Sequence, residues 1–289
     1  MQTTKAFLAQ STQLLARAGA LLTFITSATI ASCSYAETLR ITIPHIEQSA
    51  PTAVYYPQVL QLALSKTEKT DGPFEVVQLS QMLTKARFEA EVKRKNNGLI
   101  NVIWSNTNKD LESALIPIRI SLLKDLTNYR VFLIRKGDQE KFSRVKSLND
   151  LSTFKAGQGA RWTDTEVLTA NHLPVTTSPL FEPLFNMLLG KRFDYFPRGL
   201  DEIWSEAEMF EPKGIVIEQH LMLNYETARY FFVNKNNPKL AERIERGLRI
   251  AIADGSFDKL FYSVPGHKRG YEEIAHKKRL VLKLEPLKE

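Results

Sequence analysis

The hydrophobic and polar positions change their spacing repeatedly along the chain. Apolar residues alternate with polar ones at 39–44, recur at helical spacing over 57–67, and return to a strand pattern at 74–79. A charged helix is predicted for about 82–95 and a continuous apolar strand for 99–104. This β-α-β-α-β alternation is typical of a largely parallel sheet covered by helices, which we call lobe 1.

A second series of alternating elements begins with the strand-forming sequence YRVFLIR at 129–135. Helices are predicted for 163–170 and from Leu200 to about Met209, with strands at 174–177 and 215–217 among them. These elements make up a second α/β unit, lobe 2.

The order of elements predicts that the chain crosses between the two lobes twice. Lobe 1 is assigned to 37–128, lobe 2 to 129–234, and the C-terminal helices of 235–289 are expected to return to lobe 1. Tyr230–Val233 resembles Val131–Ile134 in its apolar and aromatic content, so the two segments are expected to pair antiparallel at the crossings. A cleft must then lie between the lobes.

The first 36 residues differ from the rest and are interpreted as a signal peptide. They contain Lys5 and Arg17, no acidic residue, and an apolar run over 18–31 that is too short and too polar for a membrane anchor. Cleavage is predicted after Ala36, which places the protein in the periplasm. The alternative is a lipoprotein anchored at Cys33, because residues 30–33 also resemble a lipobox.

Cysteine content and charge narrow the function classes. Cys33 is the only cysteine, so cleavage after Ala36 leaves no residue for disulfide or thiolate chemistry. The formal net charge is +7, with both signs interspersed along most segments. Nucleic-acid and membrane partners are therefore not expected, and a monomer is the default.

Residues 187–199 bring an arginine to the end of a buried strand. The helix is expected to stop at Gly190, the strand to cover 193–196, and Pro197 to end it so that Arg198 emerges beyond. Ligands of open α/β sheets lie outside the carboxyl ends of the strands. Arg198 is therefore either a solvated loop residue or part of an anion clamp.

A second candidate anion site lies at the start of the helix predicted for 163–170. Thr163 is the expected N-cap, Asp164 lies in the first turn, and Arg161 and Trp162 stand immediately before them. Helix N-termini bind anions through their free N–H groups. The alternative is an ordinary capped helix whose own acids interact with its dipole.

Sequence signatures of enzymes are mostly missing. The chain has no GxSxG, HExxH or Walker motif, and its five histidines are isolated from one another. Glu202 and Glu206 lie four residues apart and could act as an acid–base pair, but such a pair is more typical of a solvated helix face. No catalytic residue, metal site or cofactor is predicted.

The pattern as a whole resembles a known family. Residues 253–259, ADGSFDK, and 190–194, GKRFD, are similar to motifs of the extracytoplasmic solute-binding proteins of family 3, the type II periplasmic binding fold. The resemblance implies an α/β protein of two lobes, each a sheet flanked by helices, with two crossover strands. It also implies a small ligand bound between closing lobes and delivery to an inner-membrane permease of an ABC-type importer.

Two positions depart from the amino-acid-binding members of this family. The stretch Thr107–Leu111 ends in leucine where the resemblance implies an arginine for the ligand carboxylate. Arg198 and Gly199 stand near the position of the aspartate that receives the ligand ammonium. We therefore expect an anionic or at least non-ammonium ligand, because like charges in a buried site repel.

The residues expected to hold this ligand come from both lobes. Lobe 2 is expected to supply a clamp of Arg198, Arg161 and the helix that begins at Thr163 and Asp164, with Trp162 as an apolar face. Lobe 1 is expected to supply walls from Tyr55, Tyr56 and Trp104, together with Thr107.

Two other functions are compatible with the same fold. The protein could be a sensory or docking module that presents its ligand to a membrane receptor. It could also be an enzyme similar to the periplasmic dehydratases that act on prephenate-like acids, which would need a carboxylate general acid in the cleft.

Overall fold

The structure is a computed structural model that describes residues 37–45, 54–95 and 98–287. The predicted signal peptide, its cleavage point after Ala36 and the alternative anchor at Cys33 lie outside these residues. Within the described ranges, no helix is long and apolar enough to cross a bilayer.

Strands and helices alternate through most of the described chain. The strands are β1 Leu39–Ile43, β2 Phe74–Gln78, β3 Val102–Asn106, β4 Leu115–Ile118, β5 Tyr129–Arg135, β6 Ala156–Gly159, β7 Val175–Ser178, β8 Tyr195–Gly199, β9 Ile215–Ile217, β10 Leu221–Asn224, β11 Arg229–Asn234 and β12 Leu280–Lys283. The helices are α1 Tyr55–Lys66, α2 Glu68–Asp71, α3 Lys85–Lys93, α4 Lys109–Ala114, α5 Gln139–Phe142, α6 Leu148–Leu151, α7 Thr163–Ala170, α8 Glu182–Leu189, α9 Ile203–Phe210, α10 Pro238–Ala253, α11 Ser256–Ser263 and α12 Pro265–His276.

Lobe 1 contains a parallel β1–β2 pair and an antiparallel group in which β11 lies between β3 and β4. A hydrogen bond of 2.8 Å from the backbone N of Asn101 to the carbonyl of Thr42 joins the two groups. Helix α1 packs against α10, and Gly247 is required there because a Cβ would overlap the backbone of Ala63.

The expected pairing of Tyr230–Val233 with Val131–Ile134 is wrong. Strand β11 pairs with β3 and β4, whereas β5 pairs with β8, β9 and β10. Successive side chains of β11 enter two different cores, with Phe231 and Val233 in the larger one and Phe232 in a smaller one. Only a central strand with both faces covered buries such a sequence.

Lobe 2 is built on one sheet in the order β12-β10-β5-β8-β6-β7, with β9 also paired to β5. Strand β8 continues through Pro197 to Gly199 instead of stopping at Phe196 as predicted. On its other side, β8 pairs with β6 at Tyr195. Since that ladder has ended before Pro197, the missing N–H of the proline is tolerated there.

The two crossings between the lobes lie side by side. Tyr225 N donates to the carbonyl of Asn128 at 3.1 Å, and Thr227 N donates to Asn128 Oδ1 at the same distance. A third bond of 2.9 Å runs from Leu122 N to the carbonyl of Arg229. The predicted two-lobe α/β plan with two crossovers is confirmed.

The C-terminal part differs from the expectation that all of 235–289 returns to lobe 1. Helix α10 does pack on α1, but β12 pairs in parallel with β10 at the edge of the lobe 2 sheet. Its Leu282 and the following Leu284 are buried in the apolar core of that lobe. Buried Arg279 strengthens the attachment, since it bonds the carbonyls of Glu218 and Leu221.

Candidate ligand-binding site

A cavity of about 200 Å³ lies between the lobes, and each lobe contributes half of its lining. From lobe 1 come Lys85, Phe88, Trp104, Ser105, Asn106 and Arg229. From lobe 2 come Arg130, Trp162, Thr163, Asp164, Arg198 and Glu202.

Chain geometry explains why these side chains meet. Ser105 and Asn106 end β3, Arg198 is the penultimate residue of β8, and Asp164 lies in the first turn of α7 just after β6. Polar side chains at the carboxyl ends of strands are the usual lining of ligand clefts in α/β folds.

Arg198 is held by two carboxylates of its own chain. Its Nε and Nη2 donate to the two oxygens of Glu206 at 2.7 and 2.6 Å, and Nη2 lies 3.0 Å from Glu202 Oε1. The guanidinium also lies over the rings of Trp162 and Phe196 at 5.0 and 4.8 Å. Arg198 is 6% exposed, so it is not a solvated loop residue.

Asp164 is the centre of a second buried ion pair. It accepts hydrogen bonds from Arg130 Nε at 2.6 Å, from Asn106 Nδ2 at 3.2 Å, and from the hydroxyl of Tyr225. Burial alone would raise the pKa of Asp164, but the Arg130 guanidinium and the Tyr225 hydroxyl outweigh it and hold the pKa well below its usual range. This carboxylate is therefore charged at neutral pH.

The start of α7 differs from the prediction by one residue. Trp162 is the N-cap, without a side-chain hydrogen bond, and Thr163 is the first helical residue. The Thr163 hydroxyl contacts Asn106 O at 3.4 Å and Asn108 Nδ2 at 3.5 Å instead of capping the helix. Asp164 nevertheless places a carboxylate in the first turn of this helix, as predicted.

Lobe 1 contributes Arg229, which is held from three sides. Its Nε donates to Asn106 Oδ1 at 2.8 Å, its Nη1 bonds the hydroxyl of Tyr56, and Asp201 Oδ2 lies 3.7 Å away. Tyr56 in turn stacks on Trp104 with ring centroids 5.4 Å apart. The position of the cavity wall at Trp104 thus depends on the same contacts as Arg229.

Lys85 joins the two lobes across the mouth of the cavity. Its Nζ donates to the carbonyl of Arg161 at 2.9 Å and lies 3.6 Å from Glu89. Burial lowers the pKa of Lys85, although Glu89 and Asp164 oppose that shift. Together with the bond between Asn106 and Asp164, this contact connects lobe 1 directly to lobe 2.

Each of the three lining arginines has one terminal nitrogen without a hydrogen-bond partner among the described residues. These are Nη2 of Arg130, Nη1 of Arg198 and Nη2 of Arg229. Guanidinium nitrogens only donate hydrogen bonds, so this set favours an acceptor such as a carboxylate. No group of His, Cys, Asp and Glu that could hold a metal ion occurs in the part of the chain that the structure describes.

The structure places the predicted site residues in two groups. Five line the cavity: Trp104, Trp162, Thr163, Asp164 and Arg198. Four lie outside the lining: Tyr55, Tyr56, Thr107 and Arg161.

The residues outside the lining have other contacts. Arg161 is exposed, and Tyr55 is buried with its hydroxyl on the carbonyl of Leu122 at 2.7 Å. Thr107 donates to Glu112 Oε1. The expected clamp of Arg198, Arg161 and the α7 terminus is therefore assembled only in part, because the charge of Arg198 is already paired and Arg161 points elsewhere.

Sequence reasoning missed the other charged residues of the site. Arg130 and Arg229 lie in strongly apolar strand sequences, and a charge in such a strand needs a partner, which is the signal that could have found them. Glu202 and Glu206 were assigned to a solvated helix face, but Glu206 is 8% exposed and both contact Arg198. The helical spacing of two acids does not reveal which face is covered.

Comparison with known proteins supports the fold. No protein-family model matches the sequence, and no curated protein matches it either. Solved structures with the same fold include an ancestral arginine-binding protein bound to glutamine, which is 16% identical with a TM-score of 0.59 over 78% of this chain and 98% of that one. A Streptococcus pneumoniae amino acid ABC transporter substrate-binding protein bound to L-arginine is 11% identical, with a TM-score of 0.57 over 78% of this chain and 93% of that one.

A third structure connects the fold to an enzyme lineage. The ancestral amino acid-binding protein AncCDT-1, described as a precursor of cyclohexadienyl dehydratase, is 14% identical, with a TM-score of 0.54 over 78% of this chain and 95% of that one. The chain thus has the two-lobe type II periplasmic binding fold of these amino-acid-binding proteins, and its predicted resemblance to solute-binding proteins of family 3 is confirmed for the fold.

Proposed function

We propose that the protein is an extracytoplasmic solute-binding protein that captures a small polar ligand carrying a carboxylate between two closing lobes, for an ABC-type importer. The observation that carries this proposal is the convergence of Arg130, Arg198 and Arg229 on one interlobe cavity, each with one terminal nitrogen that lacks a partner among the described residues. Arginine binds carboxylates through planar pairs of N–H donors.

The charges around the cavity favour a ligand of low net charge. Four cations line it, and each cation has an acidic neighbour in the chain. The pairs are Lys85 with Glu89, Arg130 with Asp164, Arg198 with Glu206 and Glu202, and Arg229 with Asp201. The expectation that a ligand ammonium is repelled rested on an unpaired Arg198, and this pairing removes its basis. Both zwitterions and simple carboxylates therefore belong to the proposed ligand class.

The size and walls of the cavity limit the ligand further. A volume of about 200 Å³ suits one small metabolite. Trp104, Trp162 and Phe88 supply flat apolar surface beside the charged groups. We infer a ligand with a short apolar or planar part next to its carboxylate.

An enzymatic role has less support in the geometry. A dehydratase-like reaction needs a carboxylic acid in the cleft that donates a proton. Asp164 lines the cavity, but its ion pair with Arg130 holds its pKa low, so it is a poor proton donor at neutral pH. This excludes Asp164 as the proton donor. We propose binding without turnover because the lining arginines are arranged to hold a carboxylate, and recovery of the ligand unchanged tests this role.

A thermal-shift screen tests the proposal. The purified protein is heated with amino acids, dicarboxylates, phosphorylated metabolites and aromatic acids in turn. A ligand present at 100 times its Kd adds about 2.7 kcal/mol of stability, which raises the Tm of a protein of this size by roughly 5 to 10 °C. We expect a carboxylate-bearing compound to produce this shift.

The variant Arg229→Gln and the control Arg119→Gln separate the site from the surface. Arg229 lines the cavity, whereas Arg119 is 63% exposed and pairs only with Glu112. The shift should be lost in the first variant and kept in the second. Binding without turnover is supported if the ligand is recovered unchanged. A screen in which no carboxylate shifts the Tm would contradict the proposal and favour a docking module.

A further inference from the structure

Arg198, Glu202 and Glu206 form a buried cluster next to the cavity, and this cluster contains more acidic than basic side chains. Among the described residues, two glutamates share Arg198 as their one directly paired cation: both oxygens of Glu206 bond the guanidinium, and Glu202 Oε1 lies 3.0 Å from the same Nη2. Arg198 and Glu206 are 6% and 8% exposed. One guanidinium neutralises one carboxylate, so the second leaves an excess negative charge.

The immediate surroundings of this cluster offer one backbone donor, Gly199 N at 3.2 Å from Glu202 Oε1, and otherwise aromatic rings. Trp162, Phe181 and Phe196 lie against Arg198. Asp201, in the turn before α9, adds a third acid that is 3% exposed. Two carboxylates that share a buried site do not both ionise readily, because one of them takes up a proton instead.

The other elements packed against α9 do not supply the missing charge. Residues of β5 and β9 that pack there, Val131, Leu133 and Ile215, are apolar. Arg130 of β5 and Arg229 of β11 line the same cavity as Glu202 and attract it electrostatically, but each is paired with another acid, Asp164 and Asp201 respectively. Helix α12 places Arg269 over the ring of Trp204 at 4.1 Å, and this arginine is half-exposed and paired with Glu208. Asp201 is in turn shared with Arg229 and Tyr56.

We propose that Glu206 binds a proton around neutral pH, because it shares the guanidinium of Arg198 with Glu202, so that the Glu202 side of the cavity adjoins a proton-binding site. The cluster is neutral when the proton is bound and carries one negative charge when it is released. Consistent with this geometry, burial raises the pKa of Glu206 to about 7 against the opposing effect of Arg198.

This site makes ligand binding proton-linked, a consequence that rests on the proposed function. Glu202 Oε2 has no hydrogen-bond partner among the described residues. A ligand that brings a cationic group to Glu202 would release the proton, whereas a simple carboxylate would leave it bound. The charge of the ligand and the pH would then determine affinity together.

The test needs no ligand, so its result is independent of the proposed function. The protein is labelled with ¹³C at the glutamate carboxyl carbon, and the carboxyl resonances are followed by NMR from pH 4 to pH 9. Three variants are compared with the wild type: Glu206→Gln, Glu202→Gln, and the control Glu208→Gln, which changes an exposed residue of the same helix. Circular dichroism confirms that each variant is folded.

We expect one carboxyl resonance of the wild type to titrate at a pH of about 7, in line with the raised pKa of Glu206. This transition should vanish in Glu206→Gln and remain unchanged in Glu208→Gln. In Glu202→Gln it should move down by at least about one pH unit, because Glu206 then has Arg198 to itself. If Glu206→Gln fails to fold, the wild type and Glu202→Gln decide the question.

Three results would overturn the proposal. One is a wild type in which every glutamate carboxyl titrates below about pH 5.5, within the ordinary range of the residue. Another is a near-neutral transition that persists in Glu206→Gln, which would assign it to a different residue. The last is an unchanged midpoint in Glu202→Gln, which would show that Glu202 does not compete with Glu206 for Arg198.

Discussion

Replacing Arg198 with methionine removes the cation that Glu202 and Glu206 both contact. Methionine keeps much of the apolar contact with Trp162 and Phe196, so the main loss is the charge. Removing one partner of a buried ion pair destabilises a protein by about 3–5 kcal/mol, because the other charge is left buried and uncompensated. We expect a loss in this range at pH 8, where the carboxylates are most fully ionised.

The same variant should be less destabilised at low pH. Glu206, whose pKa is raised by burial, binds a proton at pH 5, and a neutral carboxyl group needs no cation. Urea denaturation of Arg198→Met and of the wild type at pH 5 and pH 8 measures the difference. Arg144→Met is the control, since Arg144 and its partner Glu140 are 78% and 80% exposed, and its unfolding free energy should change by less than about 0.5 kcal/mol.

The outcome separates two roles of Arg198. A loss of less than about 1 kcal/mol at pH 8 would refute the reasoning, because it is the size expected of an exposed ion pair. An equal loss at both pH values would also refute it, since the cost would then come from packing and not from charge.

Three further perturbations follow from the same geometry. The stability of the wild type should fall as the pH rises from about 4.5 through about 7, because a carboxyl group whose pKa is raised in the folded state stabilises the protein fully only below that range. In Glu206→Gln this fall should flatten. Thermal melts over the same pH range measure the difference. In Asp164→Asn, Arg130 loses its buried partner, and the variant should lose about 3–5 kcal/mol in urea at pH 7. The loss should be smaller near pH 2, because the unfolded wild-type chain binds a proton at Asp164 below the ordinary pKa of aspartate, whereas the folded chain has a lowered pKa there and resists protonation. A loss under about 1 kcal/mol at pH 7 would contradict the assignment. In Gly159→Ala, the added Cβ would overlap the Trp162 indole. We therefore expect a changed tryptophan emission spectrum and a loss of about 1–3 kcal/mol in unfolding free energy. Gly137→Ala, with open space around the Cβ, should leave the emission unchanged.

Much of the local structure could be predicted because its causes lie within a few residues. The apolar residues of α10 recur every four positions, the spacing of one helix face, and α10 is one of the C-terminal helices predicted for 235–289. The helix predicted for 163–170 is α7, with its N-cap one residue earlier than expected, and the apolar sequence at 129–135 is strand β5. The alternation of these elements is what predicted two α/β lobes and a cleft between them.

Residues of the candidate site could be predicted only where they stand next to a local sequence pattern, such as the end of a strand or the start of a helix. Arg198 after an aromatic strand and Asp164 at a helix start were found, and both line the cavity. Arg229 was missed, since its partners Tyr56 and Asp201 are far away in the sequence. Arg161 was included because it is next to Trp162, but neighbours in the chain need not face the same side.

The sequence by itself determined where helices and strands form and that they build two α/β lobes, since these follow from local spacing of apolar residues. Only the tertiary structure decided that β11 lies between β3 and β4, that β12 joins the lobe 2 sheet, and that Arg198 is neutralised by Glu206. The physical reason is that strand pairing and the burial of charge depend on which surfaces meet, and these contacts join residues that no local pattern connects.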